Sequence, residues 1–118
     1  MTKGQFRNDQ GQSIINQVNR TDTAWERLRG LLGRPALTAD NALWIAPCNS
    51  VHCFFMGYTI DLVYLDQQQT IIKTVANLKP WGVSACLKAK SVVELAAGSI
   101  SKFSLATGGT LVWQPCET

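Results

Sequence analysis

Residues 47–76 read PCNSVHCFFMGYTIDLVYLDQQQTIIKTVA, and the fold class follows from how this stretch alternates. Two runs rich in β-branched and aromatic residues, 59–65 and 70–76, are joined by Asp66 and three glutamines, the pattern of an antiparallel hairpin. Ile71, Lys73 and Val75 alternate with Ile72 and Thr74, the period of a half-buried strand. Residues 51–56 read as another strand, or as the first limb of one strand bent at Gly57. The same stretch concentrates reactive side chains. It holds the single histidine, His52, two of the four cysteines, Cys48 and Cys53, and a carboxylate, Asp61, between Ile60 and Leu62.

Upstream, ALWIA at residues 42–46 is a short apolar run closed by Pro47, fitting a buried strand. Residues 13–19 alternate as a half-buried strand, and Thr23 with Glu26 forms a capping-box pattern that starts a helix from Ala24 to about Leu32. Trp25, Leu28 and Leu32 share one helical face, which predicts that the helix lies amphipathically on a sheet, with Gly33 as its cap and Pro35 barring continuation. Downstream, Pro80-Trp81-Gly82 reads as a loop and residues 91–95 as a strand. A short helical segment runs from Gly98 to about Leu105, Gly108-Gly109 closes it, and residues 111–114 form the last strand. Residues 1–12 are polar and read as a flexible terminus, leaving residues 13–118 as a single domain. Connections this short rule out many crossover helices. The expected fold is therefore mainly β, α+β at the margin: an antiparallel β-sandwich of jelly-roll type or a partly open barrel with two short flanking helices.

The chain has 118 residues, 46% hydrophobic and 16% charged, the size and composition of one globular domain. Its net charge of +3 comes from dispersed Lys and Arg residues, so no nucleic-acid partner is implied. No run reaches the length of a membrane span, and the first residues carry no secretory signal. Irregularly spaced cysteines in a chain able to bury a full core read as reduced thiols in a cytoplasmic monomer, although removal of a signal peptide from a precursor would look the same.

Three motifs resemble the family grouped as domain of unknown function 192: TAWERLRGLLGR at residues 23–34, PCNSVHCFFMGYTIDLVYLD at residues 47–66, and VVELAAG at residues 92–98. The resemblance implies a compact β-rich fold of jelly-roll or sandwich type and no established activity. The chain departs from the family pattern at Gly57-Tyr58-Thr59, where relatives often carry a basic residue and a proline. It departs again at Gly108-Gly109, where many have Gly-Asp.

Cys48 and His52 are candidates for a nucleophile and base. On an extended strand they stand ~13 Å apart, whereas one helical turn brings such a pair to roughly 5–6 Å. A cysteine beside an apolar strand is equally a core residue, and a histidine there a hydrogen-bonded wall residue. A metal site from Cys48, His52, Cys53 and Asp61 lacks a C-x-x-C pair, and adjacent His52 and Cys53 point to opposite faces of a strand. No metal or cofactor is therefore expected. Asp61 is predicted buried, so it needs a partner: Arg27, Arg29, Arg34, His52 or backbone amides. Glu94 lies inside its own apolar run, and two such carboxylates on neighbouring strands resemble an acid–base pair, for which the family match gives no support. Trp25, Trp44, Phe54, Phe55 and Tyr64 are expected in the core, with Trp81 and Trp113 at the surface.

The expectation for function is a noncatalytic domain that binds a small ligand or a protein partner, with Arg27, Arg34, Asn49, His52 and Asp61 about its cleft. The alternative is a small enzyme using Cys48 and His52, with Asp61 as orienter.

Overall fold

A computed structural model describes residues 1–31, 36–52 and 57–116. The elements run β1 (Thr2–Arg7), β2 (Ser13–Arg20), α1 (Ala24–Arg29), β3 (Asn41–Ile45), β4 (Ser50–His52), β5 (Ile60–Leu65), β6 (Ile71–Leu78), β7 (Val83–Ala85), β8 (Ser91–Ala96), α2 (Ser99–Lys102) and β9 (Val112–Pro115). Seven strands form one sheet in the order β6-β5-β8-β3-β2-β1-β9, and β4 pairs with β7 as a separate ribbon. The fold is β-rich with two short helices, as expected. One pair departs from the antiparallel pattern, since β2 and β3 run parallel. The chain between them, α1 included, is long enough to reverse twice, as a parallel pair requires.

The large sheet curls on itself without closing into a barrel. Thr110, just before β9, bridges to Thr70, just before β6, and the Leu111 N–H donates to the Gln69 carbonyl at 3.1 Å. The inner face of the curl holds Phe6, Ile15, Val18, Ala42, Trp44, Val63, Val93 and Leu95. The outer face holds Leu43, Ile45, Ile60, Leu62, Tyr64 and Val92, covered by Val51, Leu31 and Ala89. Both faces of β5 and β8 are thus buried, which accounts for their nearly continuous apolar sequences.

The sequence reading differs from the structure at several points. Residues 2–7, read within a flexible terminus, form β1 and pair with both β2 and β9. Only Gly4 and Phe6 are buried in this strand, too few apolar positions for a period to show. Gly4 is there for space: a Cβ on it would lie 2.5 Å from the Trp113 ring. Trp113 itself belongs to an aromatic cluster, its ring 5.7 Å from Phe6 and 5.1 Å from Trp44, instead of lying at the surface.

Helix α1 starts as predicted, with the Thr23 and Glu26 capping box in place. Its end differs. Gly30 caps it at φ 54° and ψ −126° with its N–H donating to the Glu26 carbonyl, a positive-φ conformation that the first available glycine can adopt without strain. Trp25 and Leu28 are 69% and 71% exposed, so this face does not lie on the sheet, and Leu31 supplies the contact to the outer cluster. Leu32, Gly33 and Pro35 lie outside the described residues, as do Phe54 and Phe55. Strand β7 follows the Pro80-Trp81-Gly82 loop in a segment without strand periodicity. Among the described residues no helix is long and apolar enough to cross a membrane.

Candidate functional site

The two carboxylates of the strand interiors stand on opposite faces of the sheet. Asp61 pairs across β5 and β8 with Leu95, whereas Glu94 pairs with Leu62 on one side and Leu43 on the other. Directly opposed residues share a face, so Asp61 opens toward the inner cluster and Glu94 toward the outer one. No acid–base pairing joins them.

Asp61, 1% exposed, finds its partners in backbone amides. The Asn77 N–H donates to Oδ1 at 2.9 Å, and the Gly98 and Ile100 N–H groups donate to Oδ2 at 3.1 and 3.0 Å. The carboxylate thereby ties the end of β6 and the start of α2 to β5. Three amide donors compensate the buried carboxylate.

On the outer face the reactive residues gather around Tyr64. This side chain is fully buried, and its hydroxyl donates to Ser84 Oγ of β7 at 3.0 Å. Lys73 of β6 lies 5.8 Å from the Tyr64 ring and donates from Nζ to the Ala85 carbonyl at 2.8 Å, tying the ribbon down. Cys48 follows the cis Ala46-Pro47 bond. Its N–H donates to the Lys90 carbonyl at 3.0 Å and its thiol to the Ser50 carbonyl at 3.0 Å. Burial pushes the Cys48 thiol up from its usual range, the opposite of what activates a nucleophile. Cys86 packs on the same cluster, and its N–H donates to the Asn49 carbonyl at 2.8 Å.

Glu94 is the residue that sequence reasoning placed in an apolar run without giving it a role in binding. It is 5% exposed, in a row between Leu43 and Leu62. Its Oε1 faces the cap of α1, 4.0 Å from where a Cβ of Gly30 would stand. No hydrogen bond or ion pair joins it to a described residue, and burial pushes its carboxyl up to about 7. The signal was legible as a charge inside VVELA; the lack of a partner was not, since that depends on which elements pack above the strand.

Of the other site candidates, Arg27 is half-buried on α1, and its charge acts on Cys48 together with that of Glu94. Asn49 and His52 are exposed, with His52 paired across the ribbon to Val83. Arg34 and Cys53 lie outside the described residues. Among the described residues no group of three or more His, Cys, Asp or Glu side chains comes together to hold a metal ion. The structure thus groups Cys48, Glu94, Tyr64 and Arg27 on the outer face and separates Asp61 from them.

These features define a curled β-rich domain with a polar cluster under a two-stranded ribbon. The family model of DUF192, described as Uncharacterized ACR, matches residues 5–113, and the chain belongs to this family. It is similar to a UPF0127 protein of Thermococcus sibiricus, 26% identical over 110 residues, which cover 88% of this chain and 70% of that one. A UPF0127 protein of Thermococcus kodakarensis is 28% identical over 119 residues, covering 91% and 71%. Among solved structures, a Sinorhizobium meliloti chain provisionally named a transcription regulator superposes with a TM-score of 0.80 at 16% identity, covering 95% of this chain and 92% of that one. A protein of unknown function from Novosphingobium aromaticivorans gives 0.75 at 16%, covering 94% and 84%. At such identity the likeness speaks for the fold alone.

Proposed function

We propose that this domain is a noncatalytic binder of a small ligand, with its site on the outer face of the sheet, between α1 and the β4–β7 ribbon. The observation that carries this reading is Glu94, a carboxylate nearly enclosed in an apolar row with no partner among the described residues. Leaving such a group unpaired costs several kcal/mol in order of magnitude when it is charged, and binding sites are where such costs are retained. Leu43, Leu62 and Tyr64 are buried around the carboxylate, and Arg27, Asn49 and His52 are the polar residues assigned to the rim; Arg34, a further candidate, lies outside the described residues. Asp61 serves the site indirectly, by holding the strands that frame it. A raised thiol pKa and a hydrogen bond from Cys48 to a carbonyl argue against the alternative of a Cys48 and His52 enzyme.

A small-molecule screen followed by amide NMR tests the proposal. Ligands are expected to shift Leu43, Leu62, Glu94 and Gly30 together; responses confined to other surfaces would overturn it. Iodoacetamide provides the second arm. Cys48 in the folded protein should react far more slowly than in the unfolded chain, and fast native alkylation would favour the enzyme instead.

A further inference from the structure

A cavity of about 390 Å³ opens at the mouth of the curled sheet, beside the bridge between Thr70 and Thr110 and away from Glu94. One wall is the β1–β2 turn of residues 8–12, and the other is the loop that leads from α2 to β9. Small ligands occupy cavities of this size, and the mouths of rolled sheets are a preferred place for them. None of the residues that border the undescribed segments lines it.

Both walls are pinned by their own hydrogen bonds. Asn8 Oδ1 accepts from the Gln10 and Gln12 N–H groups, each at 3.0 Å, and Asn8 Nδ2 donates to Gln12 Oε1 at 3.1 Å. Across the cavity, the Gly108 N–H donates to the Ile71 carbonyl at 2.9 Å and the Gly109 N–H to the Ala106 carbonyl at 3.0 Å. Ser104 in the same loop holds a left-handed φ of 53°, a conformation uncommon outside glycine and concentrated at ligand-binding positions. A cavity built this way exists before a ligand arrives, so binding there spares the cost of ordering its walls.

Its lining has two kinds of surface. Half-buried Ile14 and Phe103 close the end of the inner core. Around them stand neutral hydrogen-bonding residues, Gln12, Ser104 and Thr110 among them, and Asp9 carries the only charge among the described lining residues. Neutral donors and acceptors beside an apolar floor match a ligand with hydroxyls on one side and C–H groups on the other. An anion would meet a carboxylate and no lining cation. We infer that this cavity binds a neutral, hydroxyl-rich ligand of the saccharide class, its ring against Ile14 and Phe103 and its hydroxyls toward the turn and the loop. The site is separate from the one on the outer face, and neither rests on the other.

Amide NMR titrations with the methyl glycosides of glucose, galactose and mannose test the inference, with glucuronate, glucosamine and cyclohexanol as ring-sized controls. One or more glycosides should shift Gln12, Ser104 and Thr110 together and saturably, more tightly than every control. Ala106→Trp, at an exposed position of the cavity wall, should abolish the response at an unchanged thermal midpoint. Ser104→Gly removes the hydroxyl while relieving the left-handed backbone; it should weaken binding about fivefold, the worth of one hydrogen bond, and it decides the matter if the tryptophan variant does not fold. Glucuronate or glucosamine binding as tightly as the glycosides would overturn the neutral class, and cyclohexanol doing so would overturn recognition of hydroxyls. Retained affinity in the blocked variant, or no saturable shift at these residues with any glycoside, would overturn the site.

Discussion

Two acidic residues in similar apolar runs meet different fates, and the difference lies in which backbone groups are near. Asp61 gathers three amide donors from β6 and the start of α2, whereas Glu94 has none from the described residues. Asp61→Asn would turn one carboxylate oxygen into an N–H donor that faces amide donors. The variant should lose roughly 3 kcal/mol of stability, read from urea denaturation, since charge-assisted bonds are lost and buried donors left unmet. A loss below the precision of that measurement would show that the clasp is not needed. The demand of Asp61 for a partner was legible in the sequence from its apolar neighbours. That backbone amides would supply it was not, because that depends on a contact across 37 to 39 residues.

At the scale of elements, β1 and α1 show what periodicity reads well and badly. The capping box of α1 is a local chemical pattern, and it is found where residues 23 and 26 predict it. The burial of α1 is not local, and Trp25 and Leu28 stand in solvent despite their helical spacing. Strand β1 was hidden because one of its two inward positions is Gly4, chosen to admit the Trp113 ring. Gly4→Ala should therefore destabilise by about 1–3 kcal/mol, the usual cost of overpacking, with a matching fall in thermal midpoint. An unchanged midpoint would mean that β9 can shift away at no cost. Of the β4–β7 ribbon, β4 overlaps the strand read at residues 51–56, whereas β7 escaped reading because its three residues are too few to establish an alternation.

For the whole molecule, the hairpin and the buried runs of β5 and β8 were enough to give a β-rich sheet, but not its curl, since the curl shows only in the bridge between Thr70 and Thr110, 40 positions apart in the chain. The curl gives the sheet two unlike faces, an inner core braced by Asp61 and an outer face that carries Glu94. This asymmetry has a thermodynamic consequence. Glu94 has a folded-state pKa raised from 4.5 to about 7, so the folded protein holds its proton more tightly than the unfolded chain. The contribution to stability is full below pH 4.5 and is lost as pH rises to about 7, for a total on the order of 3 kcal/mol. Denaturation midpoints across this range should fall in the parent and stay nearly level in Glu94→Gln, apart from slopes due to other groups; equal slopes would remove Glu94 as the cause. The central claim, that the outer face encloses a carboxylate with no hydrogen-bond or ion-pair partner among the described residues, is tested most directly by following the Glu94 side-chain carboxyl carbon in an NMR pH titration of the ligand-free protein. The expected midpoint is about 7, and a midpoint at the ordinary carboxylate value of 4.5 would contradict it.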